Sequence, residues 1–189
     1  MLEFGSASTS VVDTTKAVEE AIRTASAGRD PATCRLVVFH MTMGHDDAVV
    51  LKAVRRLCPS ARILGCTCAG VIGREGANES MRALAVMMAW GHAQECGMAV
   101  VDRLDGANAR DAAAQLARDL VASHGTPQFV MFLASGIDVD CDESIAGIES
   151  VLGQDVTIFG GTSADNMKGI ASFQFIDDAV HEHAAALVG

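Results

Sequence analysis

An α/β fold with a mixed, mainly parallel sheet and crossover helices, built from two pseudo-twofold-related β-α-β-α-β-β halves of about 95 residues, is what this chain of 189 residues predicts. Three observations carry that expectation. Continuous apolar runs read as strands buried on both faces, and Ala-rich stretches between them repeat apolar residues at helical spacing. Residues 14–70 also lie over residues 109–165 without a gap.

Short leading strands open the first half (1–93) at about Leu2 to Ala7 and the second (94–189) at Gln94 to Val101. The helix Thr14 to Ala27 carries Ala17, Val18, Ala21, Ile22 and Ala25 on one face, and Ala109 to Ser123 does the same with Ala113, Leu116, Ala117, Leu120 and Val121. Breakers at Gly28 to Pro31 and Gly125 to Pro127 stop both helices, and the apolar strands Leu36 to Phe39 and Phe129 to Leu133 follow. A polar loop then leads to a second helix, Asp46 to Leu57 and Cys141 to Leu152, and to a short strand ending in a glycine turn. The turns Gly65-Cys-Thr-Cys-Ala-Gly70 and Gly160-Gly-Thr-Ser-Ala-Asp165 coincide at Gly65/Gly160, Thr67/Thr162 and Ala69/Ala164. A last strand closes each half, Arg82 to Trp90 and Ile170 to Phe175, and the hairpins Arg82 to Val101 and Ile170 to Val188 add antiparallel neighbours to a sheet whose right-handed crossovers are parallel. No Gly/Ser/Pro linker or charge run parts the halves, so residues 1–189 read as one domain.

Composition narrows the function. Half the residues are hydrophobic and mean hydropathy is +0.27, enough for a core. A net charge of −10 without any basic stripe repels phosphate backbones and anionic lipid, which excludes nucleic acid and membrane as partners. The N-terminus has no signal-peptide pattern and the apolar stretches are too short to span a bilayer, so the chain reads as soluble and cytoplasmic. Six scattered cysteines beside an ample core read as reduced thiols.

Ligands of open α/β sheets collect at the carboxyl ends of the parallel strands. Four segments meet there on this reading: the post-strand loops His40 to Asp47 and Ser135 to Asp142, and the two glycine turns. The candidate ligand-binding residues are His40, His45, Asp46, Gly65, Cys66, Thr67, Cys68 and Gly70 in the first half. Ser135, Gly136, Gly160, Gly161, Thr162, Ser163, Asp165 and Asn166 are their partners in the second. Absent Cβ atoms let backbone N–H groups approach a ligand there, and hydroxyls donate or accept. The plain alternative is that the glycine turns only connect strands. No phosphate-loop or dinucleotide fingerprint is present. His40, His45, Cys66 and Cys68 form an alternative metal set, for zinc or haem, and Cys66 beside His40 or His45 an alternative nucleophile. At the aligned positions Gly161, Ser135 and Asp140 the second half lacks these groups.

His45-Asp46 opening a helix, Gly65-Cys-Thr-Cys-Ala-Gly-Val-Ile72 and Gly160-Gly-Thr-Ser-Ala-Asp165 together resemble the FIST domain (F-box and intracellular signal transduction), in its N-terminal half-domain. The resemblance implies a sensory domain of bacterial signal transduction that binds a small ligand such as an amino acid, with haem-containing gas sensors among its members. It also implies a partner: a C-terminal FIST half-domain, or a signalling protein such as a histidine kinase or chemotaxis receptor. Cys68 stands where the family's turn has Thr.

Overall fold

The structure is a computed structural model that describes residues 1–74, 76–92 and 95–189. Its first run of elements is β1 (Glu3–Thr9), α1 (Thr14–Ser26), β2 (Leu36–Thr42), α2 (Asp47–Leu57), β3 (Arg62–Cys68), β4 (Val71–Gly73), β5 (Gly76–Asn78) and β6 (Leu84–Trp90). The second run repeats that order as β7 (Met98–Val101), α3 (Ala109–His124), β8 (Phe129–Ala134), α4 (Cys141–Leu152), β9 (Thr157–Thr162), β10 (Gln174–Ile176), β11 (Ala179–His181) and β12 (Ala185–Val188). The strand expected from Gln94 begins at Met98, and Gln94 itself lies outside the described residues.

The mixed α/β class holds, but the strands form three sheets and are mostly antiparallel. One sheet has the order β1-β6-β2-β3-β10-β11, a second β7-β12-β8-β9, and β4-β5 pair only with each other. Among the described residues parallel pairing is confined to β2 with β3 and β8 with β9. Strands β6 and β12 run antiparallel between the crossover strands and the leading ones, and their pairings outweigh the parallel ones. β6 and β7, expected as a hairpin, belong to different sheets. The strand expected at Ile170 to Phe175 is β10, and it leaves its own half to pair with β3 of the other sheet. The role that β6 plays in the first sheet falls instead to β12.

Strand alternation sorts the core into layers. Val37, Phe39, Met41 and Ile63 face α1 and α2, packing on Val18, Ile22, Val50 and Val54. Val130, Phe132 and Ala134 face α3 and α4 in the same way, against Leu116, Leu120 and Ile148. The opposite faces, Leu36, Val38 and Leu64 on one sheet and Leu133, Ala186 and Val188 on the other, pack together between the sheets. Helix pair, sheet, sheet and helix pair therefore stack as four layers. Asp side chains hold three helix starts: Asp13 accepts from Lys16 N, Asp46 from Val49 N and Asp140 from Glu143 N, at 2.9, 2.9 and 3.0 Å. Such caps contribute about 1 kcal/mol each.

Candidate functional site

A cavity of ≈ 900 Å³ opens between the sheets where β8 and β9 overhang β1, β6, β2 and β3, and β4 forms one side of its rim. Its walls are Val38, Leu64, Met87, Met131, Leu133 and Phe159, with polar groups from Ser6, His40, Cys66, Cys68, Arg74 and Thr162. The alternation that buries Val38 and Leu64 between the sheets also brings His40, Cys66 and Cys68 to this face, two and four residues further along.

His40 and Cys66 are directly opposed in the β2–β3 register, and His40 Nδ1 lies 3.2 Å from Cys66 Sγ. Burial pushes the His40 imidazole below its ordinary pKa and the Cys66 thiol above its own, with the neighbouring Cys68 adding to the latter. Both groups are neutral at pH 7, so the contact joins a thiol to an imidazole and not a thiolate to an imidazolium. Cys68 is pushed up to about 11 by burial. Neither thiol is an activated nucleophile.

The predicted residues divide. His40, Cys66, Cys68, Gly70, Gly160, Gly161 and Thr162 line the cavity. His40 is not on a post-strand loop, because β2 continues to Thr42, and the glycine turns are largely strand, since β3 reaches Cys68 and β9 reaches Thr162. Gly65 makes room for Phe39, whose carbonyl oxygen and ring would lie 2.7 and 2.9 Å from an added Cβ. Gly160 has φ +139°, and an added Cβ would sit 1.8 Å from the Phe132 carbonyl oxygen. These two glycines serve close strand packing. Gly161 is different: an added Cβ meets nothing within 4 Å, because the cavity lies over it.

Thr67 faces away from the cavity and is fully buried, its Oγ1 accepting from Phe173 N at 2.9 Å. Ser163 is part of a buried polar knot, in which its Oγ accepts from Gln174 Nε2 at 2.6 Å and from Gly136 N at 3.2 Å and is bonded to Ser172 Oγ at 2.8 Å. Ser135 bonds its own loop through Ile137. Asp165 folds the loop after β9 around itself, its carboxylate accepting from the N–H groups of Ile170, Gly169, Ala171 and Lys168, which together lower its pKa. Asn166, at φ 59°, belongs to that loop.

His45 and Asp46 sit elsewhere again, where α1 and α2 begin. Asp46 caps α2, and His45 Nδ1 lies 3.2 Å from Thr14 Oγ1 while its Nε2 is buried without a partner among the described residues. Burial, and then the charge of Arg82, lower the His45 pKa. The alternative metal set of His40, His45, Cys66 and Cys68 is thus not assembled, and among the described residues no three His, Cys, Asp or Glu side chains converge in a metal-holding group. The set does not fit a tetrahedral zinc site. The expected meeting of Thr67, Thr162, Ser163 and His45 in one pocket does not occur either, since strand alternation sends Thr67 to the helix-facing side and the Thr14 contact holds His45 at the helix starts.

Sequence reasoning passed over Arg74, Met87, Met131 and Phe159. Extending the two-residue period from His40 and Cys66 along β2 and β3 identifies the cavity face, but which strands stand opposite is a matter of sheet packing.

Comparison with known proteins gives one family and two structures. The family model described as FIST N domain matches residues 35–189. A crystal structure of cyanuric acid hydrolase from A. caulinodans is similar at 12% identity and TM-score 0.44, covering 100% of this chain and 70% of that one. A second cyanuric acid hydrolase, described as an evolutionary innovation by structural concatenation, is similar at 14% and 0.40, covering 100% and 68%. Likeness at that level carries no argument about activity. No curated protein matches the chain. Among the described residues no helix is long and apolar enough to cross a membrane.

Proposed function

The chain belongs to the FIST N domain family, a family of signal-transduction sensory domains, and from that premise we propose that it senses a small metabolite, an amino acid or a related molecule, held between its two sheets. One observation supports the reading above others: the ≈ 900 Å³ inter-sheet cavity joins an apolar wall to a few polar groups, the composition of small-molecule sites. The ligand would be read by a further domain or protein, a C-terminal FIST half-domain or a signalling partner such as a histidine kinase or chemotaxis receptor. A thiol-dependent enzyme is disfavoured by the protonated state of Cys66 and Cys68. The same reading takes residues 1–93 and 94–189 as a duplicated unit within one domain, supported by the repeated element order.

Thermal shift of the purified protein against amino acids and related small acids, with native mass spectrometry, tests this. A ligand at 100 times its Kd adds about 2.7 kcal/mol and raises Tm by several degrees. Gly161→Leu fills open space over the cavity and is expected to keep the fold while abolishing that rise. A library that shifts nothing, or a shift that survives Gly161→Leu, overturns the reading.

A further inference from the structure

The described walls of the inter-sheet cavity hold one formal charge and no acid, in a chain whose 24 acidic residues outnumber its 14 lysines and arginines. The charge is Arg74, exposed at the rim immediately after β4. Several other guanidinium groups of the first half are engaged. Arg29 pairs with Glu3 at 2.7 Å, Arg62 with Asp177 at 3.0 Å, and Arg82 donates to the Val12 carbonyl at 2.6 Å. Arg74 has no ion pair or hydrogen bond among the described residues.

Behind Arg74 the walls are hydrocarbon, thioether and ring: Val38, Leu64, Met87, Met131, Leu133 and Phe159. The remaining polar lining is neutral. Ser6 and Thr162 offer hydroxyls, and Cys66 is hydrogen-bonded to His40. We infer that the cavity selects an apolar molecule ending in a single negative charge, a carboxylate on a hydrocarbon or aryl body, with the charged end at Arg74 and the body between the sheets. The inference rests on the ligand-binding reading above and narrows it. An ammonium group brought to this cavity would lose its hydration and meet no anion among the described residues in exchange, so an amine is disfavoured and a zwitterion gains less than the acid that lacks the ammonium. A guanidinium suits the task because its planar fork meets both oxygens of a carboxylate.

Four probes of one size separate the terms: 3-phenylpropanoate, 3-phenylpropan-1-ol, 3-phenylpropylamine and phenylalanine, titrated calorimetrically into the full chain and into its Arg74→Gln and Gly161→Leu variants. The acid is expected to bind about tenfold more tightly than the amine or phenylalanine. Arg74→Gln is expected to bring the acid down to the affinity of the alcohol while leaving the alcohol unchanged. Because Arg74 is exposed and has no partner among the described residues, the variant is expected to unfold at the same temperature as the parent. An amine or zwitterion that binds as well as the acid, or an acid whose advantage survives Arg74→Gln, overturns the inference, and so does an acid that does not bind at about 10 mM. The ligand-binding reading has its own failure: it survives if the alcohol binds and Gly161→Leu abolishes that binding, and it falls if the wider library shifts nothing or if a shift survives Gly161→Leu.

Discussion

β3 and β9 occupy the same place in the two runs of elements and live in opposite surroundings. β3 is flanked by β2 on one side and β10 on the other, and Ile63, Leu64 and Cys66 are nearly or fully buried. β9 is the last strand of its sheet, paired only with β8, and Phe159, aligned with Leu64, is 48% exposed. The cause is where the hairpins go. The β10–β11 hairpin of the second run crosses to cover β3, whereas the β4–β5 hairpin of the first pairs only with itself and leaves the outer edge of β9 bare. The cavity lies at the bare edge. Similar local sequences thus give a strand covered along both edges and a strand with one edge bare, both of them bordering the cavity, and the difference is set by a three-residue strand far along the chain.

Truncating aromatic rings on the two strands' coverings should show the contrast at its largest. Phe175 of β10 is fully buried and stacks on Phe39 at 5.1 Å, so Phe175→Ala is expected to cost about 3–5 kcal/mol in urea unfolding. Phe159 lies with its ring centroid 6.1 Å from that of the half-exposed Phe129, and Phe159→Ala is expected to cost about 1 kcal/mol. Equal losses would break the comparison.

Adjacent glycines on β9 sharpen it. Gly160→Ala forces a Cβ against the Phe132 backbone at a positive φ and is expected to cost about 3 kcal/mol, read from the same unfolding curves. Gly161→Ala projects into open space and is expected to stay within about 0.5 kcal/mol of the parent.

Two pH effects follow from groups that occur in one half only. Asp165 holds the loop leading from β9 toward β10, and its carboxylate is favoured in the folded state by four N–H groups. Its stabilisation is therefore present above the unfolded carboxylate pKa of about 3.9 and is lost as pH falls through the lower folded value. Asp165→Asn is expected to be less stable than the parent at pH 7, with the gap closing in acid. In the first half, His40 and His45 have folded pKa values depressed by burial. The unfolded chain takes up their protons first, so stability falls as pH drops below about 6.5. Their counterparts are Ser135 and Asp140. His45→Gln is expected to flatten that part of the pH–stability curve, and an unchanged slope would remove His45 from the account.

Much of the fold was legible because it is local. The Ala-rich faces of α1 and α3 and the apolar runs of β2 and β8 announce themselves by period, and the four helices lie within a residue or so of where the pattern puts them. Gln174-Phe-Ile176 offers no comparable signal: three residues say nothing of which edge they join, and that choice decides where the cavity opens. For the site, His40 and Cys66 were readable as neighbours on adjoining parallel strands. Thr67 and His45 were not readable as absent from it, because the glycine turn is strand, and alternation sends Thr67 to the helix side while the Thr14 contact holds His45 at the helix starts. Arg74 lies outside both motifs, and its value depends on the absence of acids among the described residues across the cavity, a property of two sheets together.

Thiol chemistry gives the smallest effect and separates β3 from a reactive strand. Cys66 is nearly buried, its pKa is raised by desolvation and by Cys68, and its sulfur faces a neutral imidazole, so nothing favours the thiolate. Cys141, by contrast, is exposed at the start of α4. Iodoacetamide at pH 7.5 is therefore expected to label Cys141 first and to leave Cys66 unlabelled until the chain unfolds, as read by peptide mass spectrometry. Cys66→Ser keeps a donor for His40 Nδ1 and exchanges a small apolar sulfur for a hydroxyl, for which a loss of about 1 kcal/mol is expected. Ligand-induced stabilisation should survive that substitution, because the second half has Gly161 at the aligned position and the cavity uses both. Rapid labelling of native Cys66, together with loss of every ligand response in Cys66→Ser, would make β3 a thiol site and end its description as the covered, inert counterpart of β9.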